Sequence, residues 1–218
     1  MATDHNIANQ IVSSYMDYIL EHGTNPKSIF SFSKQLKIDE REFYNHFSSF
    51  EHLREKIFTE FYTKTYHLIS KDKSYEKLDA ANKLLTFYYT FFDLLTANRS
   101  YVSQVLKTHK NPLEKLKLLK GLRVEFKNYI KSLNIETLDF KKEEINNINE
   151  SVLQELAWTQ LLATLKFWLE DRSPAFEKTD VFIEKSVQAS FELINISSLK
   201  NLVDFGKFFF KEKIKPQI

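Results

Sequence analysis

Six histidines, at positions 5, 22, 46, 52, 67 and 109, are the side chains of this sequence with the widest chemical reach. Metal capture or general-base work would need two of them on one helix face, and neither His-x-x-x-His nor His-Glu-x-x-His occurs. His46 and His52 stand six apart across an expected helix break and do not converge. The adjacent carboxylates Glu143 and Glu144 would point to different sides of a helix, in a charged run. Glycines at 23, 121 and 206 are too scattered for a phosphate-cradling loop. With no cysteine, thiolate zinc sites, thiol nucleophiles and disulfides are excluded. No catalytic residue, metal or cofactor is expected, and the chain reads as a non-enzyme.

Binding chemistry is better represented. Phe87, Tyr88, Tyr89, Phe91 and Phe92 form one ring-rich run, and Trp158, Leu161, Leu165 and Trp168 recur at helical spacing further on. One reading is an ordinary helical core. The other is a pocket for a small apolar ligand, lined by Tyr88, Tyr89, Phe92, Trp158, Leu165 and Trp168. Near the end, Leu199, Leu202, Val203, Phe205 and Phe208 to Phe210 alternate with Lys200, Lys207, Lys211, Lys213 and Lys215. Such a basic amphipathic helix either folds back with its lysines in water or makes peripheral contact with an anionic membrane.

Helices must position these groups. Gly and Pro number only 3 and 4 in 218 residues, too few for the turns of a many-stranded sheet. An all-α protein is expected. Ile7, Ile11, Val12, Tyr15, Met16, Ile19 and Leu20 mark one stripe of a first helix, stopped by a C-cap at Gly23. Short helices follow over about 28–36 and 40–47, the second with Asp39 as N-cap and Glu42 at capping-box spacing. A longer helix runs over about 50–69, then a polar linker over 71–75. Further helices are expected over 78–97, 112–133, 152–169, from Pro174 to about 196, and 199–214. No element is predicted between 98 and 110. The N-terminus resembles no signal peptide, and no apolar run is long enough to span a bilayer; a cytoplasmic location is expected.

Ile38-Asp39, Phe43-Tyr44-Asn45-His46-Phe47 and Ser48-Ser49-Phe50-Glu51-His52-Leu53, with the helices before them, resemble the DNA-binding domain of the TetR family. The resemblance implies a helix-turn-helix module over residues 1–53, its connecting helix continuing to about 70, and a helical ligand-binding and dimerisation domain over 71–218. It also implies that Lys27, Lys37, Arg41, Tyr44, Asn45 and His46 serve DNA, with Tyr44 near a phosphate. For Tyr44 and His46, packing of the small domain is the competing role. Three departures bear on that implication. Lys37 replaces the tight-turn glycine and needs an unusual backbone angle. Phe50 replaces a lysine at the helix restart. The segment Asp39-Glu40-Arg41-Glu42 sets three carboxylates where a polyanion would approach. Residues 1–55 hold five bases and eight acids, so this module alone should bind DNA weakly or not at all.

Residues Phe167 to Thr179, then Phe182-Ile183, are similar to a segment of the ubiquinone-biosynthesis accessory protein family. Members of that family are TetR-like in fold and hold lipids. Two functions are therefore expected in competition. One is a dimeric TetR-like transcriptional regulator that binds a DNA operator and responds to a small apolar ligand. The other is a lipid- or isoprenoid-binding protein of the same fold that has lost DNA binding.

Overall fold

The computed structural model describes residues 2–108, 111–135 and 143–195. Every regular element among them is helical. Ten α-helices run in order: α1 Ala2–His22, α2 Ile29–Leu36, α3 Glu40–His46, α4 Phe50–Ser70, α5 Ala80–Ala97, α6 Arg99–Thr108, α7 Pro112–Leu118, α8 Lys120–Ser132, α9 Glu143–Glu170 and α10 Glu177–Asn195. Single 3-10 turns at Tyr75–Lys77 and Pro174–Phe176 introduce α5 and α10. The expected last helix, over 199–214, lies outside the described residues.

Two compact units interleave along the chain. Of the described residues, one holds those up to Lys71 together with those over 90–125; the other holds Asp72–Tyr89 and those from Phe126 onward. Helices α5 and α8 thus each contribute one half to each unit.

In the first unit α1 buries Ile11, Val12, Tyr15 and Ile19, whereas Leu20, expected on the same stripe, is exposed. Gly23 ends α1 in the left-handed region at φ 71°, its N–H bonded to the Ile19 carbonyl at 2.9 Å. A side chain there would be strained. The capping box forms at α2 rather than α3: Ser31 N–H donates to Ser28 Oγ at 3.1 Å, and Ser28 N–H to Ser31 Oγ at 3.2 Å. Helix α6 fills the stretch with no predicted element and buries Tyr101, Val102, Val105 and Leu106. Where one helix is expected over 112–133, Leu119 at ψ 9° separates α7 from α8.

In the second unit α9 begins at Glu143, nine residues earlier than expected, and pairs with α10. Phe167 stacks on Phe182 with centroids 4.6 Å apart, and Gln160 Nε2 donates to Ser186 Oγ at 3.1 Å. Asp171 closes the turn between them. Its carboxylate accepts from the N–H and hydroxyl of Ser173 (2.8 and 2.7 Å) and of Thr179 (3.0 and 2.7 Å). Burial alone would raise its pKa; these four bonds overcome that and hold it at about 2.

Candidate nucleic-acid interface and apolar core

Helices α2 and α3, with Lys37 and Ile38 between them, form a helix-turn-helix. Lys37 takes the position where a glycine is expected by adopting φ 57° and ψ 35°. Its N–H bonds to the Lys34 carbonyl at 3.2 Å, and Ile38 N–H to the Ser33 carbonyl at 3.1 Å, the paired bonds of a left-handed helix stop. Asp39 then caps α3, accepting from Arg41 N–H at 2.8 Å. That caps the helix with a carboxylate already engaged by the chain.

The orientation of α3 follows from one residue. Phe43 is wholly buried, which turns Arg41, Tyr44 and Asn45 outward; all three are exposed. Glu40 and Glu42 are half-buried on the two flanks, about 100° to either side of Arg41. Glu42 also accepts from Asn45 Nδ2 at 3.4 Å. The acidic run of the sequence is thereby split by the helical register, and the centre of the outward face carries a guanidinium, a phenol and an amide. Lys27 and Lys37 are exposed at the loop before α2 and at the turn. His46 stands apart from this set: it is half-buried, its ring 6.1 Å from Phe47.

An aromatic core fixes the module. Phe32 meets Tyr15, Phe43 and Phe50 edge-on at 6.1, 6.4 and 5.7 Å. Phe50 stacks on Tyr15 at 5.5 Å. Ile29 and Leu36 at the two ends of α2 are only half-buried. The residue in place of the restart lysine is therefore the ring that joins α4 to the other three helices. In the sequence Phe50 reads only as a lost cation, and its spacing from Phe43 and Phe47 is the one sign of this packing role.

Beside that core lies a polar knot that no pattern in the sequence announced. Tyr15 donates to Asn25 Oδ1 at 2.7 Å, Arg54 Nη1 reaches the same oxygen at 3.4 Å, and Arg54 Nη2 pairs with Glu51 at 3.2 Å. Burial pushes the Tyr15 hydroxyl up to about 12 against the opposing pull of Arg54. Tyr101 of α6 is buried in the same field, and burial raises its pKa too.

In the second unit the candidate ligand residues Tyr88, Trp158, Leu165 and Trp168 are all buried, and Tyr89 is half-buried. Phe126 bridges two of them, 6.2 Å from Tyr88 and 6.5 Å from Trp158. Trp168 packs 6.3 Å from Phe176. Phe92, four residues after Tyr88 on α5, is buried too, in the first unit. Burial drives the Tyr88 hydroxyl far above the ordinary tyrosine range. An open groove of about 690 Å³ lies along the α9–α10 turn, lined by Phe167, Asp171, Arg172, Pro174 and Lys178 among others.

Among the described residues no group of three or more His, Asp or Glu side chains is placed to hold a metal, and no helix is long and apolar enough to cross a membrane.

The profile of the tetracyclin repressor-like, C-terminal domain family matches residues 83–209. That is more than half of the chain, and the protein belongs to this family of transcriptional-regulator folds. A solved chain from SHEWANELLA SP. PV-4, assigned to the tetR family of transcription regulators, is similar at 13% identity and a TM-score of 0.49. The match covers 85% of this chain and 95% of that one. No curated protein matches the sequence.

Proposed function

We propose that the chain is a transcriptional regulator that binds an operator through α3 as a homodimer and responds to a small apolar ligand. The observation that carries the reading is the outward triad of α3. Arg41 is suited to a base edge or phosphate, Tyr44 to a phosphate oxygen and Asn45 to a base, with Lys27 and Lys37 beside them. The flanking Glu40 and Glu42 favour a site read at modest affinity, with unfavourable bases excluded by repulsion. The dimer is supported by the exposed faces of α9 and α10, where Val152, Leu156 and Val181 stand outward. The ligand reading is supported by the large buried rings of the second unit.

Selection of binding sites from random duplexes at low salt, followed by titration of the enriched site, tests the proposal. Affinity should fall steeply with salt, Arg41→Glu should weaken binding by at least about tenfold, and Tyr44→Phe by a few-fold. Failure to enrich any sequence, with no salt-sensitive binding, would sink it.

The second reading, a lipid- or isoprenoid-binding protein without DNA affinity, is favoured by the acidic excess of residues 1–55. Native mass spectrometry separates the two: a co-purifying apolar molecule in a protein inert to DNA supports the second. Its suggested membrane contact through residues 199–214 lies outside the described residues.

A further inference from the structure

Helix α7 and the first turns of α8 present a surface that neither operator binding nor an enclosed ligand pocket uses. Leu113, Val124 and Leu116 are 66%, 53% and 45% exposed. Leu119 ends α7 and opens α8: its N–H reaches the Lys115 carbonyl at 3.1 Å, and its carbonyl accepts from Arg123 N–H at 2.8 Å. At 3.6 residues per turn, Leu113, Leu116 and Lys117 share a face about 100° wide on α7, and Lys120, Arg123 and Val124 share one of about the same width on α8. Lys117, Lys120 and Arg123 are exposed. Of the acids of the segment, Glu114 projects about 100° away from Leu113 on α7 and Glu125 about 100° away from Val124 on α8. The other side is seated in the first unit by buried Leu118, Leu119 and Leu122, and Gly121, at the edge of the exposed face, lies against Thr59 of α4.

From this pattern we propose that the α7–α8 face docks on an anionic lipid bilayer. Branched aliphatic side chains interleaved with cations suit a surface that is charged outside and apolar a few ångströms deeper. Duplex DNA would satisfy the cations but leave the leucines without gain. A protein partner is a poorer fit, because six side chains fall short of the roughly 20–30 residues and ~800 Å² per partner that a stable interface buries. A bilayer needs no such matched footprint. The contact is peripheral, weak and reversible, and it depends on both ingredients of the face.

Vesicle co-sedimentation of the full chain tests this, using phosphatidylcholine with and without phosphatidylglycerol. Binding should require phosphatidylglycerol and be lost at high salt. Lys117→Glu with Lys120→Glu should weaken it by at least about tenfold, and Leu113→Ser with Leu116→Ser should weaken it severalfold while leaving the circular dichroism spectrum unchanged. With Leu116→Trp, vesicles should shift the added fluorescence to the blue. Lys207→Glu with Lys211→Glu, in the sequence's basic tail, should leave this binding in place. The proposal is overturned if no phosphatidylglycerol-dependent binding occurs, or if only the tail variant abolishes it. It is equally overturned if the leucine variant binds as well as the parent, which would reduce the face to a general polyanion site. None of these outcomes depends on whether α3 reads DNA.

Discussion

Lys37 stops α2 with φ 57°, a backbone region that costs an L-residue about 1–2 kcal/mol and a glycine almost nothing. Lys37→Gly should therefore stabilise the protein by roughly 0.5–1 kcal/mol after the glycine's greater unfolded freedom is subtracted. Urea unfolding should show a higher midpoint, and Lys37→Ala should show no such gain. Asp171 carries the opposite lesson. Its carboxylate ties four donors of the α9–α10 turn, so Asp171→Ala strands buried partners and should cost about 2–4 kcal/mol. Because its folded pKa, about 2, lies below the ordinary carboxylate value, its contribution is fully present above about pH 4 and is lost as pH falls through 2. Unfolding midpoints measured down that range should decline more steeply for the parent than for Asp171→Asn. The Lys37 angle was foreseeable, since an L-residue stood where a tight turn was required. The Asp171 anchor was legible only in part: Asp171 to Pro174 reads as a turn, whereas the bonds from Thr179, eight residues on, leave no mark in local spacing.

At the scale of elements, the sequence displayed most helices through apolar periodicity and caps: Gly23 and Asp39 stop and start helices where expected. Helix α6 escaped because only Tyr101, Val102, Val105 and Leu106 are buried in ten residues, and polar neighbours dilute so short a stripe. Helix α9 began early because its first turns are polar, and polar residues propagate a helix already nucleated by packing. The split of Glu40 and Glu42 to the flanks of α3 was legible only once Phe43 fixed the rotation. The seat of α8 offers a test. A Cβ at Gly121 would meet Thr59 Oγ1, a hydroxyl that donates to the Glu55 carbonyl at 2.9 Å. Gly121→Ala should thus destabilise by about 0.5–2 kcal/mol, the overpacking being partly offset by alanine's helix preference of about 1 kcal/mol over glycine. Adding Thr59→Ala should recover most of that loss; equal stability of the single variant and the parent would show that α8 is seated more loosely than its geometry implies.

At the scale of the molecule, the proposed homodimer rests on apolar side chains that α9 and α10 leave in solvent. Leu156 and Val181, 49% and 48% exposed, are the positions to disturb. Leu156→Lys with Val181→Lys should convert a dimer into a folded monomer, read by sedimentation velocity with circular dichroism unchanged. A parent that sediments as a monomer at high concentration would remove the dimer from the proposal. Fold class was plain from composition, whereas the grouping of helices was not, since long-range packing leaves no local mark. The interleaving of the two units also orders events during synthesis. Residues up to Lys71 complete a helix-turn-helix in sequence, yet their unit also contains Thr90–Glu125. While a ribosome is still delivering α5, the nascent module lacks the buried Tyr101 and Val102 of α6. The N-terminal segment, first to emerge, therefore completes its unit only when residue 125 has cleared the tunnel, still ahead of the second unit, which needs the chain from Phe126.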